Sequence, residues 1–130
     1  MAAENIALVR GYFEAVARGD LAALTEMFSD NLVWHQPGKS SVSGTYSGRD
    51  AVFGLLGSLM ERSQGSFRID DVGQILANAD YVATTLHFQA KAGEKSMSMF
   101  GIDVLRIEAG KIHEVWLFSE DQQAEDAFWG

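Results

Sequence analysis

Cysteine is absent from the 130 residues, which rules out disulfides, thiolate chemistry and cysteine-bound metal sites, and fits a reducing cytoplasmic compartment. Proline occurs once, at Pro37, so almost nothing in the backbone blocks long strands and helices. Positive charge is scarce: 10 basic residues stand singly against 18 acidic ones, a formal net charge of −8. Such a field repels a phosphate backbone, and nucleic acid is not an expected partner. No run approaches the roughly 18 to 20 apolar residues of a membrane span. The N-terminus also lacks a basic segment leading into an apolar one, so neither membrane nor export is expected.

What remains is the composition of one folded domain over residues 1–130, with 47% hydrophobic residues. From Asn5 to Arg18, Ile6, Val9, Tyr12, Phe13 and Val16 recur at helical spacing, and Gly19 suits the left-handed stop. Asp20 is placed to cap a second helix carrying Leu21, Leu24, Met27 and Phe28. A strand, Leu32 to Gln36, stops at Pro37-Gly38. The Ser- and Gly-rich stretch Lys39 to Gly48 reads as a surface loop, and Ser47 as the cap of a third helix. That helix presents Val52, Leu55, Leu56, Leu59 and Met60, and closes at Gly65. Four strands follow: Ser66 to Ala77, Tyr81 to Ala90, Ser96 to Ile107 and Lys111 to Ser119. Turns at Asn78-Ala79-Asp80, Ala92-Gly93-Glu94 and Ala109-Gly110 join them. Glu120 to Trp129 is expected as a short terminal helix with Asp121 at its start. Three helices followed by an antiparallel meander predict an α+β cone, its curved sheet enclosing one apolar pocket for a hydrophobic small molecule.

Asp103 is the most informative residue. Alternation places it with Met97, Met99, Gly101, Leu105 and Ile107 in an otherwise apolar row. A carboxyl there loses hydration, favours its neutral form and can donate to a developing oxyanion. Tyr12 lies on the apolar face of the first helix and gains meaning if its hydroxyl meets Asp103. At the strand end, alternation sets Gln36 with Trp34 and Leu32, and His35 with Val33, so only one of Gln36 and His35 can face inward. A histidine inside would serve as a base, a glutamine only as a binder. His35, His87 and His113 have no metal-ligand spacing, and no metal or cofactor is expected. There is no G-x-S-x-G elbow, so Ser-His-Asp hydrolysis has no support in the motif. Glu120, Asp121, Glu125 and Asp126 read as a solvated helix face. Phe100, Ile102 and Val104, opposite Asp103, need cover, and a homodimer through that face is expected.

Two segments resemble ketosteroid isomerase. One runs from Tyr12-Phe13-Glu14-Ala15-Val16 through Gly19-Asp20 and Phe28-Ser29-Asp30 to Trp34-His35-Gln36-Pro37. The other is Asp103-Val104-Leu105-Arg106-Ile107 with Gly110-Lys111-Ile112. The Trp34-His35-x-Pro37-Gly38 run and the Gly44-x-Tyr46-x-Gly48-Arg49 loop look more like the broad SnoaL-like polyketide cyclase group of the NTF2-like superfamily. The resemblance implies Tyr12 and Asp103 as an oxyanion hole. The proton-carrying aspartate before the proline is replaced by Gln36, leaving His35 or, near the last strand, Asp121 for that role. Trp34, Phe53, Met97, Met99 and Trp116 complete the expected lining. The implied activity is cofactor-independent isomerisation or ring closure of a steroid- or polyketide-like carbonyl compound. The alternative is binding of an apolar ligand in the same pocket without turnover.

Overall fold

The computed structural model describes residues 2–130. Helix α1 (Ala2–Arg18) buries Val9, Tyr12, Phe13 and Ala15 on one stripe. Gly19, at φ +64°, turns the chain out of it. Asp20 then accepts a hydrogen bond from the Ala23 N–H at 3.0 Å and caps α2 (Leu21–Met27). Strand β1 (Phe28–Gln36) begins directly at Phe28, earlier than its apolar alternation indicates. The expected loop contains a short edge strand, β2 (Gly44–Ser47), paired antiparallel to β1. Its four residues are largely exposed and carry no hydrophobic alternation, which is why the composition reads as loop. Helix α3 (Arg49–Arg62) starts after Gly48 without a side-chain cap, so Ser47 does not have the capping role expected of it.

The meander follows as β3 (Arg68–Asn78), β4 (Tyr81–Ala92), β5 (Lys95–Glu108) and β6 (Lys111–Ser119), and α4 (Gln122–Trp129) ends the chain. Asp121 caps α4 by accepting from the Ala124 N–H at 3.0 Å. The six strands form one sheet in the order β2-β1-β6-β5-β4-β3. All pairings are antiparallel except β1 with β6, which is parallel. The architecture is thus the expected α+β cone. It differs in one added strand, β2, between β1 and the third helix, and in the parallel pairing of β1 with β6, while α4 is the terminal helix expected from the sequence.

The inner face of the sheet and the helices share one core, in which Phe28, Leu32, Leu105, Ile107 and Ile112 are fully buried. Close approach of β5 to β6 depends on Gly101. A Cβ there would lie 2.7 Å from the Phe118 carbonyl oxygen, a backbone atom that cannot swing aside. Two residues further along β5 is Asp103, which pairs across the sheet with Thr84 on one side and Leu117 on the other. Thr84 is fully buried and its hydroxyl has no partner among the described residues. The outer face is different in kind: Phe100 and Phe118 are 62% and 57% exposed, and Ile102 and Tyr81 are exposed beside them.

Candidate functional site

Between the inner face, α1, α3 and α4 lies a cavity of about 230 Å³. Its wall is almost wholly apolar, including Leu24, Leu56, Leu59, Phe67, Leu86 and Phe88. Leu21 and Met60, both exposed, belong to this lining and make its rim apolar as well. That departs from the expected core positions for these two residues. Uncovered apolar side chains at a cavity rim favour passage of an apolar molecule.

Five polar side chains interrupt the lining: Tyr12 from α1, Gln36 from β1, Asp103 from β5, Ser119 from β6 and Glu125 from α4. Asp103 is 8% exposed. Burial pushes its carboxyl up to about 7, the nearby charge of Glu125 acts in the same direction, and no hydrogen bond offsets them. Tyr12 is buried as well. Burial, and after it the charge of Asp103, hold the phenol well above its ordinary range, so it stays protonated and acts as a donor. The structure therefore brings Tyr12 and Asp103 to one cavity from opposite ends of the chain.

The choice at the end of β1 is resolved in favour of Gln36. Leu32, Trp34 and Gln36 are buried on the inner face. The Trp34 indole Nε1–H donates to Gln36 Oε1 at 3.1 Å. Because an indole N–H can only donate, this bond fixes the amide orientation and leaves the Gln36 NH₂ as the free donor. His35 points to the outer face. There its Nε2 pairs with Glu114 at 2.5 Å, its Nδ1 lies 3.3 Å from Thr45 Oγ1, and its ring stacks on Trp116 at 5.5 Å. The expectation that His35 carries a proton inside the pocket is corrected by its contacts with Glu114 and Trp116 on the outer face.

Asp121 is likewise outside the cavity, engaged as the α4 cap. Trp116 shares the outer face with His35 and Tyr81, so it does not line the pocket. Phe53 packs against Phe28 at 5.8 Å in the core and is not part of the wall. Met97 and Met99 do share the inner face with Asp103, but they lie toward the opposite end of β5 and are buried in the core. Among the expected binding residues, only Trp34 and Gln36 touch the cavity.

Glu125 is the residue that sequence reasoning missed. It is buried, and its carboxylate accepts from Ser119 Oγ at 2.6 Å, Gln122 Nε2 at 3.2 Å and Trp129 Nε1 at 3.0 Å. The available signal was Trp129 at i+4, which places an indole donor on the same helix face. Three donors surround the Glu125 carboxylate, whereas Asp103 has no side-chain hydrogen bond among the described residues.

With this geometry established, the relatives can be placed. A SnoaL-like domain model matches residues 9–115. The chain belongs to the SnoaL-like family. The match spans α1 to β6 and so includes Tyr12, Gln36 and Asp103, while Glu125 lies beyond it. A Xanthomonas campestris protein of unknown function with a cystatin-like fold is 44% identical, covering 97% of this chain and 98% of that one, with a TM-score of 0.94. An uncharacterized Mycobacterium tuberculosis protein is 29% identical over 126 residues, covering 96% of this chain and 95% of the relative. An NTF2-like protein from Burkholderia xenovorans shares the fold, with a TM-score of 0.81 at 18% identity, covering 100% of this chain and 98% of that one. This SnoaL-like chain therefore has the NTF2-like cone.

Proposed function

We propose that this SnoaL-like protein catalyses proton transfer on an apolar carbonyl compound, with Asp103 as the acid-base group. The observation that carries the reading is a buried, unpartnered carboxyl facing an apolar cavity, with its pKa raised to about 7. A base poised near the working pH moves protons in both directions, the condition for isomerisation or for enolate-driven ring closure. The oxyanion-donor role implied for Asp103 by ketosteroid isomerase gives way here, because His35 and Asp121 lie outside the cavity and Glu125 is saturated by donors.

In the proposed reaction the carbonyl compound enters past Leu21 and Met60. Its α-carbon loses a proton to the Asp103 carboxylate, and the negative charge moves to the carbonyl oxygen. The Tyr12 hydroxyl and the Gln36 NH₂ are the donors available to that oxygen. Asp103 returns the proton at another carbon, completing an isomerisation, or the enolate attacks a second carbonyl within the same molecule. Apolar walls exclude water and strengthen both donor contacts. The chemistry needs no cofactor.

The test is exchange in D₂O across a panel of apolar ketones, enones and polyketide-like diketones, followed by NMR. Deuterium should enter the α-position of at least one member, and Tyr12→Phe should slow that exchange by about 10²-fold or more. Tight binding with no exchange in any member would favour the alternative, a carrier of an apolar ligand. The Gln36 side chain supports that alternative, since it stands at the position of the expected base and cannot take up a proton.

The same proposal includes a homodimer covered through the outer sheet face, supported by the exposure of Phe100, Ile102 and Phe118. Light scattering should give twice the 14.2 kDa chain mass, and a Phe100→Glu, Phe118→Glu variant the chain mass itself. A parent protein that scatters as a single chain at every concentration would remove the dimer from the reading.

A further inference from the structure

On the outer face of the sheet, across β5, β4 and β3, three side chains form one hydrogen-bonded chain. Ser98 Oγ lies 3.2 Å from His87 Nε2, and His87 Nδ1 lies 2.7 Å from Asp70 Oδ1. Gln89 Nε2 donates to the other Asp70 oxygen at 2.6 Å. The cavity lining includes none of these residues.

Their meeting depends on a bulge. Ile69 opposes Phe88 and Asp71 opposes His87, so Asp70 is the extra residue of β3. A bulge re-aims the side chain at its extra position, and here it turns Asp70 toward the His87 ring. Ser98 pairs across the sheet with Gln89, which sets it diagonally beside His87. The order of donors follows from chemistry. The hydrogen bond from His87, opposed in part by burial and reinforced by the hydrogen bond from Gln89, lowers the Asp70 carboxyl below its ordinary value. An ionised carboxylate only accepts, so Nδ1 must carry the proton that it shares with Asp70. In the neutral ring Nε2 is then the acceptor, and it faces the Ser98 hydroxyl. Phe100 packs edge-on against the His87 ring at 4.8 Å and limits its rotation.

A recess adjoins Ser98, and Arg68, Gln89 and Lys91 share its wall. Neither Arg68 nor Lys91 takes part in an ion pair among the described residues. Arg68 and Lys91 share the wall of the recess with Ser98. They favour a substrate with a negative charge, and the oxyanion that develops on the substrate's carbonyl oxygen when Ser98 adds to it. The recess lies toward the β4–β5 turn and includes Ser98 but not Phe100, so Phe100, packed on the His87 ring, marks the boundary between it and the face assigned to the dimer.

We propose that Ser98, His87 and Asp70 form a second catalytic site, one that hydrolyses activated esters of small anionic acyl groups. Ser98 Oγ attacks the ester carbonyl carbon while its proton passes to His87 Nε2. The tetrahedral adduct expels the alcohol or phenol oxygen, which takes that proton, and the acyl group stays on Ser98. Water then attacks the acyl carbon, giving one proton to His87 as its hydroxyl forms the acid. Ser98 leaves and recovers the proton from His87. Asp70 positions the ring and touches no substrate. The arrangement has the roles of a nucleophile, a base and an orienting acid. With the flexible side chains of Arg68 and Lys91 serving the adduct, turnover is expected to fall about 10²- to 10³-fold short of sites with a preorganised oxyanion hole.

The test uses the full chain with a fluorophosphonate and with 4-nitrophenyl hemisuccinate. A single phosphonyl group is expected on Ser98 by peptide mass mapping, and a transient succinyl group at the same residue. Ser98→Ala should abolish both. His87→Gln should slow labelling at least tenfold at an unchanged melting temperature. Asp70→Asn should also slow labelling, and Asp70→Glu should restore part of the rate, which a merely structural carboxylate would not require. Label spread evenly over Ser96 and Ser98, or a His87→Gln protein labelled as fast as the parent, would overturn the proposal.

Discussion

Replacing Asp103 with asparagine is expected to abolish proton transfer while making the protein more heat-resistant at pH 8. The first effect should reach about 10²- to 10⁴-fold in kcat/KM, the usual contribution of a positioned acid-base group. The second has the opposite sign because the folded state holds Asp103 in surroundings that disfavour its charge. Its carboxyl rises from the ordinary 3.8 to about 7 on folding. Below 3.8 the group is neutral in folded and unfolded chains alike and costs nothing. Between 3.8 and about 7 the folded state binds the extra proton, so stability falls as pH rises, and above about 7 the loss is complete. The full interval corresponds to at most ~4 kcal/mol. Asparagine carries no such penalty. The melting temperature of Asp103→Asn, relative to the parent, should therefore climb between pH 4 and 8 and then level off. A variant that keeps its exchange rate, or that melts below the parent at pH 8, would refute the role given to this residue.

Glu125→Gln tests the other half of the pair. In the parent, kcat/KM should rise with pH through a midpoint near 7, because Asp103 must be ionised to accept the substrate proton. Removing the charge of Glu125 removes the second cause of the high value, and the midpoint should move toward acid. The variant also loses charge-assisted bonds from Ser119 Oγ, Gln122 Nε2 and Trp129 Nε1. Each such bond is worth about 1.5 to 3 kcal/mol, and a glutamine oxygen replaces part of that set. Lower stability with an acid-shifted profile is the expected combination. A profile that stays in place would show that burial alone sets the Asp103 carboxyl, and that Glu125 serves only to hold α4.

Much of this arrangement is legible in the sequence, for reasons that differ by residue. Period two along β5 places Asp103 among apolar neighbours, and burial confirms that face. Period 3.6 puts Tyr12 on the inner stripe of α1. Asp20 and Asp121 can be read as caps because a cap needs only its own local backbone. Where local rules leave an equal choice, the rest of the fold makes it. Strand parity allows either Gln36 or His35 inside, and the parallel neighbour β6 decides by offering Glu114 and Trp116 to His35 on the outer face.

The misses also have physical causes. Met97, Met99 and Asp103 share a face, but a cavity occupies only part of a long strand, and period two carries no information about position along it. Glu125 was hidden among Glu120, Asp121 and Asp126, since an acidic run reads as solvated until one member is matched with buried donors. The meeting of Ser98, His87 and Asp70 rests on the β3 bulge, a one-residue offset that no alternation pattern reports.

The parallel pairing of β1 with β6 bears on how the molecule comes into being. On a ribosome, β1 and its short companion β2 emerge with most of the chain still unmade. The strand that satisfies the other edge of β1 is synthesised last, just ahead of α4. Until then one side of β1 presents bare peptide groups, and the meander built from β3 to β5 has an open flank of its own. Topologies that join distant parts of the chain close slowly. The nascent chain therefore carries two unpaired sheet margins, on β1 and on β5, that await the same strand.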